Sequence, residues 1–215
     1  MDSQTFVENL KKCLKEDLPG KNAQFKMAGN YRAIESFDIE KAIQSSVLIL
    51  LYNKNNELYF PLIERPIYDG VHSGQMALPG GKFDQNEDKD LIATALREAN
   101  EEIGFEPRSD NFIMLGKLSE LYIPPSNHLV HPYIGYTYEI PEFKINQREV
   151  AELIEVSVSE IINENLISEK KVKINSGNIV NAPCFEFNQK QIWGATAMML
   201  SELKEITLKI KSEIQ

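Results

Sequence analysis

The stretch GGKFDQNEDKDLIATALREANEEIGF, residues 80–105, decides the fold of this chain. It begins with two glycines, continues through a polar segment, and then repeats apolar residues at helical spacing. These apolar residues, which form one stripe of a helix predicted over 88–103, are Ile92, Ala95, Leu96, Ala99 and Ile103. Gly104 follows the stripe, at the position where a glycine in left-handed conformation commonly ends a helix. The stretch therefore predicts a glycine loop that leads into an amphipathic helix.

Three glutamates, Glu98, Glu101 and Glu102, lie near the end of this helix. Residues three and four apart share a helix face, so their carboxylates converge, and like charges at this spacing destabilise a helix by about 0.2–0.5 kcal/mol per pair. Arg97 can pair with Glu101, which leaves Glu98 and Glu102 facing one another. The cluster is either a solvated acidic face or a site for a hard divalent cation. The neighbouring glycine loop, where backbone can approach a ligand closely, favours the second interpretation.

Composition limits the classes of protein to which the chain can belong. Its 215 residues, 42% of them hydrophobic, predict one domain with terminal additions. The net charge of -9 disfavours a nucleic-acid partner, because such binding depends on lysine and arginine neutralising phosphates. No apolar run is long enough to span a membrane, and the polar start is unlike a secretory signal, so we expect a cytoplasmic protein without a membrane partner. Cys13 and Cys184 lie far apart and are expected to be reduced thiols.

The order of the predicted elements indicates an α+β fold. An N-terminal helix over 3–18 belongs to a helical extension over 1–30. The strands are predicted over 46–52, 58–66, 112–123, 129–140 and 153–158, with a last hairpin over 172–175 and 184–188. A short helix is predicted over 159–165 and a C-terminal helix over 191–211. Strands and helices do not alternate regularly, which is typical of helices packed against a mixed sheet.

The segment R-E-A-N-E-E-I-G-F at 97–105, preceded by P-G-G, resembles the Nudix box. That signature is a glycine, five residues, a glutamate, seven residues, and then R-E-apolar-x-E-E-x-G-apolar. Every fixed residue of its second half is present. Glu87 follows Gly81 at the expected distance, but nine residues instead of seven separate it from Arg97. Either the loop carries a two-residue insertion or Glu87 is simply an N-terminal helix residue.

The resemblance implies a Nudix-type α/β/α sandwich with a mixed β-sheet, plus N-terminal and C-terminal helices, in a single Nudix domain over 1–215 with its box at 81–105. It also implies Mg²⁺ or Mn²⁺ held against a small-molecule diphosphate substrate, and a monomer or homodimer. The implied chemistry is metal-assisted hydrolysis, in which the cation neutralises phosphate charge and lowers the pKa of the attacking water.

The resemblance also implies roles for individual residues. Glu98, Glu101 and Glu102 become metal-binding and base-positioning carboxylates, the Gly81 carbonyl becomes a further ligand, and Arg97 orients a glutamate. Nudix enzymes often take an additional metal ligand or general base from outside the box. Glu149 and Glu152 are the candidates for that role, although both could be ordinary surface glutamates.

The segment LIERPIYDGVHSGQMALPGG, residues 62–81, resembles a motif of the coenzyme A pyrophosphatase branch of the family. The motif is roughly L-T-x-R-S/A, three residues, R, three residues, G, three residues, F-P-G-G. The positions in register are Leu62, Arg65, Gly74, Pro79, Gly80 and Gly81, and the departures are Pro66, Gly70 and Leu78. Gly70 matters most because it replaces an arginine, a natural partner of phosphate.

This second resemblance implies cleavage of coenzyme A, or an acyl derivative, to adenosine 3',5'-bisphosphate and 4'-phosphopantetheine. The substrate-binding residues that it implies are Arg65, His72, Gly74, Gln75 and Gly80. The loop that contains Tyr122 and two prolines is expected to border the adenine or pantetheine site. Trp193 is expected in the core, and His128 and His131 are expected to be structural.

Two other functions stay open. A Nudix hydrolase of ADP-ribose, NADH, a dinucleotide or a nucleoside triphosphate shares the box, because one fold hosts many substrates. A non-catalytic Nudix module that binds a nucleotide and regulates a partner belongs to a different class, and it would be expected to lose box glutamates that are present here. An isoprenoid diphosphate isomerase needs its own cysteine chemistry, and neither cysteine lies near the box.

Overall fold

The computed structural model describes residues 2–29, 39–70, 72–174 and 177–214. Its strands are β1 (Ile43–Lys54), β2 (Glu57–Glu64), β3 (Met76–Ala77), β4 (Gly80–Lys82), β5 (Phe112–Lys117), β6 (Leu121–Ile123), β7 (His128–Thr137), β8 (Glu152–Ser157), β9 (Ile167–Lys173), β10 (Ile179–Phe187) and β11 (Lys190–Ile192). Its helices are α1 (Ser3–Cys13), α2 (Lys21–Gln24), α3 (Leu91–Ile103), α4 (Val158–Ile161) and α5 (Gly194–Ile214). Short 3-10 turns occupy Phe25–Met27, Ile39–Lys41, Pro124–Ser126 and Glu164–Leu166. Met1 and Asn30, the ends of the predicted extension, lie outside the described residues.

The larger sheet is mixed and has eight strands in the described part of the chain. Five of them follow the order β3-β2-β1-β7-β5, while β4 also pairs with β1, β6 with β7, and β8 with β2. Strands β1 and β7 run parallel from Ile43 opposite His128 to Tyr52 opposite Thr137. The other pairings in this sheet are antiparallel.

Strand β1 is apolar on both faces because both faces of the sheet are covered. Ile49 and Leu51 pack into a core that also contains side chains of α1 and α5. Leu48 and Leu50 point to the opposite face, where they pack against Ala95, Ala99 and Ile103 of α3. Complete burial of an aliphatic side chain stabilises a fold by about 1.5–3 kcal/mol. The predicted α/β/α sandwich with terminal helices is confirmed.

The antiparallel sheet β11-β10-β9 lies beside the first sheet and contributes Phe185 and Phe187 to the larger core. It contains the predicted last hairpin, with Ile179 opposite Lys173. The hydroxyl of Thr196 in the first turn of α5 donates to the Met76 carbonyl at 3.0 Å. This contact brings the start of α5 to the end of the larger sheet that carries the glycine loop.

Helix α3 begins later than the sequence predicts. Asp90 is its N-cap and accepts a hydrogen bond from the Ala93 amide at 2.8 Å, so Asp88 belongs to the preceding loop. Gly104 ends the helix in the left-handed conformation, with φ of 70°, as predicted. Helix α1 is also shorter than expected and ends at Cys13, and the predicted helix over 159–165 divides into α4 and a 3-10 turn. Among the described residues, no helix is long and apolar enough to cross a bilayer.

Candidate active site

A cavity of about 710 Å³ lies where α3, the glycine loop and the start of α5 meet. Its floor crosses four neighbouring strands in the order β4, β1, β7 and β6. Gly81 lies opposite Ser46, Ser45 lies opposite Val130, and Val130 lies opposite Leu121. Three spacings between hydrogen-bonded strands amount to about 14 Å, so the cavity suits an elongated ligand.

Glu102 is the most deeply buried carboxylate of the cavity, with 3% of its surface exposed. The Gly80 amide donates to its Oε2 atom at 2.8 Å. Burial raises the pKa of Glu102 to about 8, and repulsion from Glu98 and Glu149 contributes to that rise. A carboxylate held in this environment gains much from a nearby cation.

The two glycines of the loop are required because other groups approach their backbone closely. A Cβ atom at Gly81 would lie within 2.5 Å of the Glu98 carboxylate, so that carboxylate occupies the space of the missing side chain. Gly80 has φ of 151°, and a Cβ atom there would lie 2.3 Å from the Ser46 carbonyl oxygen. Burial also raises the pKa of Glu98, against the opposing effect of Arg97. The loop therefore places two destabilised carboxylates at one end of the cavity.

Arg97 holds the acidic groups around α3 in place. Its Nε and Nη2 atoms each donate to Asp88 at 2.9 Å, and its Nη1 atom donates to Glu98 at 2.9 Å and to Glu101 at 3.0 Å. The pairing with Glu101 is the one predicted. Arg97 thus contacts the Glu98 carboxylate, and it does not itself line the cavity.

The sequence did not predict Asp88 as a functional residue. Its side chain is 1% exposed, and the hydrogen bonds from Arg97 lower its pKa to about 2. Glu87 is 61% exposed and lies 3.7 Å from the Arg97 Nε atom. It lies before α3, so the interpretation of Glu87 as a helix residue is wrong. The sequence signal for an acidic partner of Arg97 is the adjacent pair Glu87 and Asp88, but the sequence does not tell which of the two makes the contact.

The structure brings most of the sequence-predicted site residues to the same cavity. Those that line it are Arg65, His72, Gln75, Gly80, Gly81, Glu98, Glu102 and Glu149. Those that do not are Gly74, Arg97, Glu101 and Glu152. Glu101 is exposed and turned toward Arg97, and Glu152 pairs with Lys190 at 2.7 Å. Gly74 lies in the loop after β2 with φ of 64°.

Glu149 and Glu152 are only three residues apart but differ in position. Glu149 lines the cavity and accepts a hydrogen bond from the Asn146 side chain at 3.0 Å. Glu152 begins β8, opposite Glu64 of β2, and Lys190 from the second sheet bridges these two carboxylates. Of the two glutamates outside the box, only Glu149 therefore lines the cavity.

Two of the three residues expected to be structural or core also line the cavity. His128 lines it, and its Nδ1 atom lies 2.7 Å from the Ser45 hydroxyl. His131 does not line it and lies 2.8 Å from the Gln44 side chain. Trp193 is half-buried in the cavity wall because it precedes α5 and is not part of the helical stripe. Lys82, which the sequence did not single out, adds a basic side chain.

Glu98 and Glu102, beside the glycine loop, form the acidic end of the cavity, and their oxygen atoms suit a hard divalent cation. Among the described residues, no three histidines, cysteines, aspartates or glutamates lie together closely enough to hold a metal ion. The pKa values of Glu98, beside Gly81, and of Glu102, beside Gly80, are nevertheless both raised, and a cation would relieve the repulsion between the two carboxylates. Mg²⁺ is commonly held by one or two carboxylates together with substrate phosphates. The residues fit such a shared site better than a closed protein cage.

The pattern of the NUDIX domain family matches residues 42–175. The chain belongs to the Nudix hydrolase family. This match includes the glycine loop, α3 and the loop that carries Glu149. Nudix hydrolases generally use divalent metal ions, which agrees with the oxygen donors at the acidic end.

Curated Nudix hydrolases from bacteria are among the proteins to which the chain is similar. It is 34% identical over 134 residues to the uncharacterized Nudix hydrolase NudL of Photorhabdus laumondii, covering 62% of the chain and 69% of that protein. It is 36% identical over 135 residues to a protein of the same description from Yersinia pestis, covering 62% and 65%. The matched region thus spans about two thirds of the length of these relatives.

The crystal structure of the Nudix hydrolase RenU from M. smegmatis has a TM-score of 0.52 with this structure, at 18% identity. That comparison covers 79% of this chain and 88% of RenU. At this identity it shows the shared fold alone.

Proposed function

We propose that the chain hydrolyses the diphosphate bond of coenzyme A or acyl-coenzyme A. The products would be adenosine 3',5'-bisphosphate and 4'-phosphopantetheine or its acyl form. Family membership supports the coarser assignment, a Nudix hydrolase of a nucleoside diphosphate derivative. The observation that carries the finer one is that Arg65, His72 and Gln75 of the upstream segment line the same cavity as Glu98 and Glu102.

The charges in the cavity suit a diphosphate that is held by a metal ion on one side and by basic side chains on the other. Glu98, Glu102 and the Gly81 carbonyl would hold Mg²⁺ or Mn²⁺ at the acidic end. When bound, the cation neutralises phosphate charge and lowers the pKa of a water molecule. Arg65 and Lys82 supply positive charge to the same cavity in a chain whose net charge is -9. These two side chains would pair with substrate phosphates.

The reaction also needs a group that accepts the proton of the attacking water. We assign Glu149 to this role or to an additional metal contact, because it faces the cavity and Glu152 does not. Arg97 would keep Glu98 oriented through its contact at 2.9 Å. Glu101 would act only through Arg97, since the structure turns it away from the cavity.

A second candidate function has one specific observation in its favour. Gly70 occupies the position at which the coenzyme A motif has its second arginine, so one phosphate partner of that motif is absent. Hydrolysis of ADP-ribose, NADH or a dinucleoside polyphosphate would retain the box and dispense with that arginine. A non-catalytic nucleotide-binding module is disfavoured because the three glutamates in the second half of the box, Glu98, Glu101 and Glu102, are all present.

We further propose that residues 1–215 form a single Nudix domain that functions in the cytoplasm as a monomer or homodimer. Packing of Phe6 and Leu10 of α1 into the same core as Leu200 and Leu203 of α5 supports the inclusion of the N-terminal extension.

Parallel incubation with coenzyme A, ADP-ribose and NADH, each with Mg²⁺ or Mn²⁺, tests the proposal. Products are read by mass spectrometry, with Glu102→Gln as the inactive variant and Glu152→Gln as the matched control outside the cavity. We expect 4'-phosphopantetheine from coenzyme A with the native chain and with the control only. Cleavage of ADP-ribose or NADH without cleavage of coenzyme A would move the assignment to the second candidate, and no cleavage at all would favour the regulatory module.

A further inference from the structure

The loop between β7 and β8 is joined by backbone hydrogen bonds to the end of α3. The Lys144 amide donates to the Ile103 carbonyl at 2.9 Å. The Asn146 amide donates to the Glu102 carbonyl, also at 2.9 Å. The last carbonyls of a helix have no partners within the helix, so the loop supplies them. The path of this loop is therefore fixed relative to the helix that carries the box glutamates.

The loop is anchored again where it leads into β8. Val150 is fully buried in the core between α3 and the larger sheet, and the Ala151 amide donates to the Glu64 carbonyl at 2.8 Å. The residues between Asn146 and Val150 are exposed. Glu149 is thus carried by a short exposed turn that is held at both ends.

Asn146 holds this turn together through its backbone and its side chain. Its carbonyl accepts the Glu149 amide at 2.9 Å and the Val150 amide at 2.8 Å. Its side-chain Oδ1 atom accepts the Arg148 amide at 3.2 Å, and its Nδ2 atom donates to Glu149 Oε1 at 3.0 Å. Asn146 therefore contacts one box glutamate, Glu102, through its backbone and contacts the Glu149 carboxylate through its side chain.

Charge repulsion opposes the position of Glu149 in the cavity. Glu149 lines the same cavity as Glu98 and Glu102, and its charge contributes to the raised pKa values of both. Like charges at close range favour conformations that separate them. A hydrogen bond to an ionised acceptor is stronger than one between neutral groups, so the Asn146 amide opposes that separation.

We propose that Asn146 is a positioning residue for the hydrolysis, and that its side-chain amide holds the Glu149 carboxylate toward Glu98 and Glu102. This inference rests on the role of Glu149 in the proposed function. Asn146 does not itself line the cavity, so it acts through Glu149. Its contact with the Glu102 carbonyl ties the position of Glu149 to that of the box helix.

The substitution Asn146→Asp separates this role from the folding of the loop. Aspartate keeps an oxygen that can accept the Arg148 amide, but its second oxygen replaces the amide donor and repels Glu149. Asn163 provides a matched control, because its Oδ1 atom accepts the amide of Asn165 at 3.1 Å and it does not line the cavity. Asn163→Asp makes the same chemical change in the same kind of turn.

Steady-state kinetics of coenzyme A hydrolysis at saturating Mg²⁺ concentration test the proposal. We expect Asn146→Asp to lower kcat about tenfold or more and to change KM by less than about threefold, because a displaced reacting group affects mainly the transition state. Asn146→Ser removes the amide without adding a charge and should lower kcat at least about fivefold. Asn163→Asp should leave kcat within about twofold of the native value. A native kcat in both Asn146 variants, or equal losses in Asn146→Asp and Asn163→Asp, overturns the proposal.

A double-mutant cycle with Glu149→Gln distinguishes positioning from a general loss of structure. In the Glu149→Gln chain, Asn146→Asp should change kcat by less than about twofold, because the carboxylate that Asn146 holds is already absent. Non-additivity of this kind supports the proposal. The same fold loss in both backgrounds means that Asn146 only supports the loop, and it overturns the proposal.

Crystal structures of the native chain and of Asn146→Asp give a readout that is independent of turnover. We expect the Glu149 side chain to turn away from Glu102 in the variant, while the hydrogen bond between Lys144 and Ile103 remains. A Glu149 side chain that keeps its position in the variant overturns the proposal. If the native chain cleaves no diphosphate, a displaced Glu149 in the variant would still support the contact with Asn146, and the proposed function would be refuted.

Discussion

The guanidinium of Arg97 donates two hydrogen bonds to the Asp88 carboxylate, each at 2.9 Å. This bidentate pair joins the loop before α3 to the helix that carries the box glutamates. Because the Asp88 side chain is 1% exposed, removal of its charge leaves Arg97 without its best partner in a largely buried position.

Asp88→Asn is therefore expected to lower the free energy of unfolding by about 2–4 kcal/mol. The matched variant Glu87→Gln changes the neighbouring acid, which is 61% exposed, and should change the same quantity by less than about 0.5 kcal/mol. Urea unfolding of both variants measures the difference. Similar losses for the two would contradict the assignment of Asp88 as the partner of Arg97.

The same pair predicts a pH dependence of stability. Arg97 lowers the pKa of Asp88 from its ordinary value of 3.8 to about 2 in the folded chain. A carboxyl whose folded pKa is depressed stabilises the fold above its unfolded pKa, and this contribution is lost as the pH falls toward the folded pKa. Between pH 5 and pH 2 the native chain should lose about 2 kcal/mol through this group. Unfolding measured across that range should show a smaller loss for Asp88→Asn, and parallel curves for the two proteins would refute the prediction.

Substitution of the two glycines of the loop is expected to have different effects, one on activity and the other on stability. Gly81→Ala places a methyl group on the Glu98 carboxylate, so it should displace that side chain and lower kcat at least about tenfold while the chain still folds. The methyl group added by Gly80→Ala would clash with the Ser46 carbonyl, and alanine would have to adopt an unfavourable φ, so this variant should have a much lower melting temperature. Circular dichroism melting and steady-state kinetics of both variants separate the two effects. A fully active Gly81→Ala protein would show that Glu98 does not need its observed position.

Glu149 and Glu152 allow a direct comparison within one loop and strand. Glu149→Gln should lower kcat by about a hundredfold if it accepts the proton of the attacking water. Glu152→Gln should change kcat by less than about threefold, because its carboxylate pairs with Lys190 outside the cavity. Rates of coenzyme A cleavage at saturating metal concentration measure both. A large loss with Glu152→Gln alone would reverse the assignment.

Glu202 of α5 is fully buried and accepts hydrogen bonds from the N-terminal segment and from the loop before β6. Its donors are the Gly20 amide at 3.0 Å, the Gln24 side chain at 3.0 Å and the Ser119 hydroxyl at 2.7 Å. Glu202→Ala should lower the free energy of unfolding by about 3 kcal/mol or more, because these donors lose their partner. Glu205→Ala, which removes only the ion pair with Lys26, is the control and should have an effect below about 1 kcal/mol. Chemical unfolding monitored by fluorescence compares them.

The main elements could be predicted because their signals are local. The apolar stripe of α3, its glycine C-cap and the continuous apolar run of β1 depend on residues a few positions apart. The convergence of Glu98 and Glu102 follows from helical spacing alone. Such local patterns could not select Asp88 over Glu87 as the partner of Arg97. Asp88 turns inward because its carboxylate accepts hydrogen bonds from the Asp84 amide, at 3.0 Å, and from Arg97. The conformation of that loop follows no periodic pattern in the sequence.

The sequence by itself determined the helix and glycine loop of the Nudix box, the mixed α+β class and the family, because short-range periodicity and a compact motif carry that information. Only the tertiary structure decided that Glu149 rather than Glu152 faces the cavity, that Asp88 holds Arg97, and that Trp193 lines a cavity wall. These outcomes depend on strand register and on contacts between residues far apart in the chain. A shift of one residue in register would turn a side chain to the other face of the sheet, and no local pattern specifies that choice.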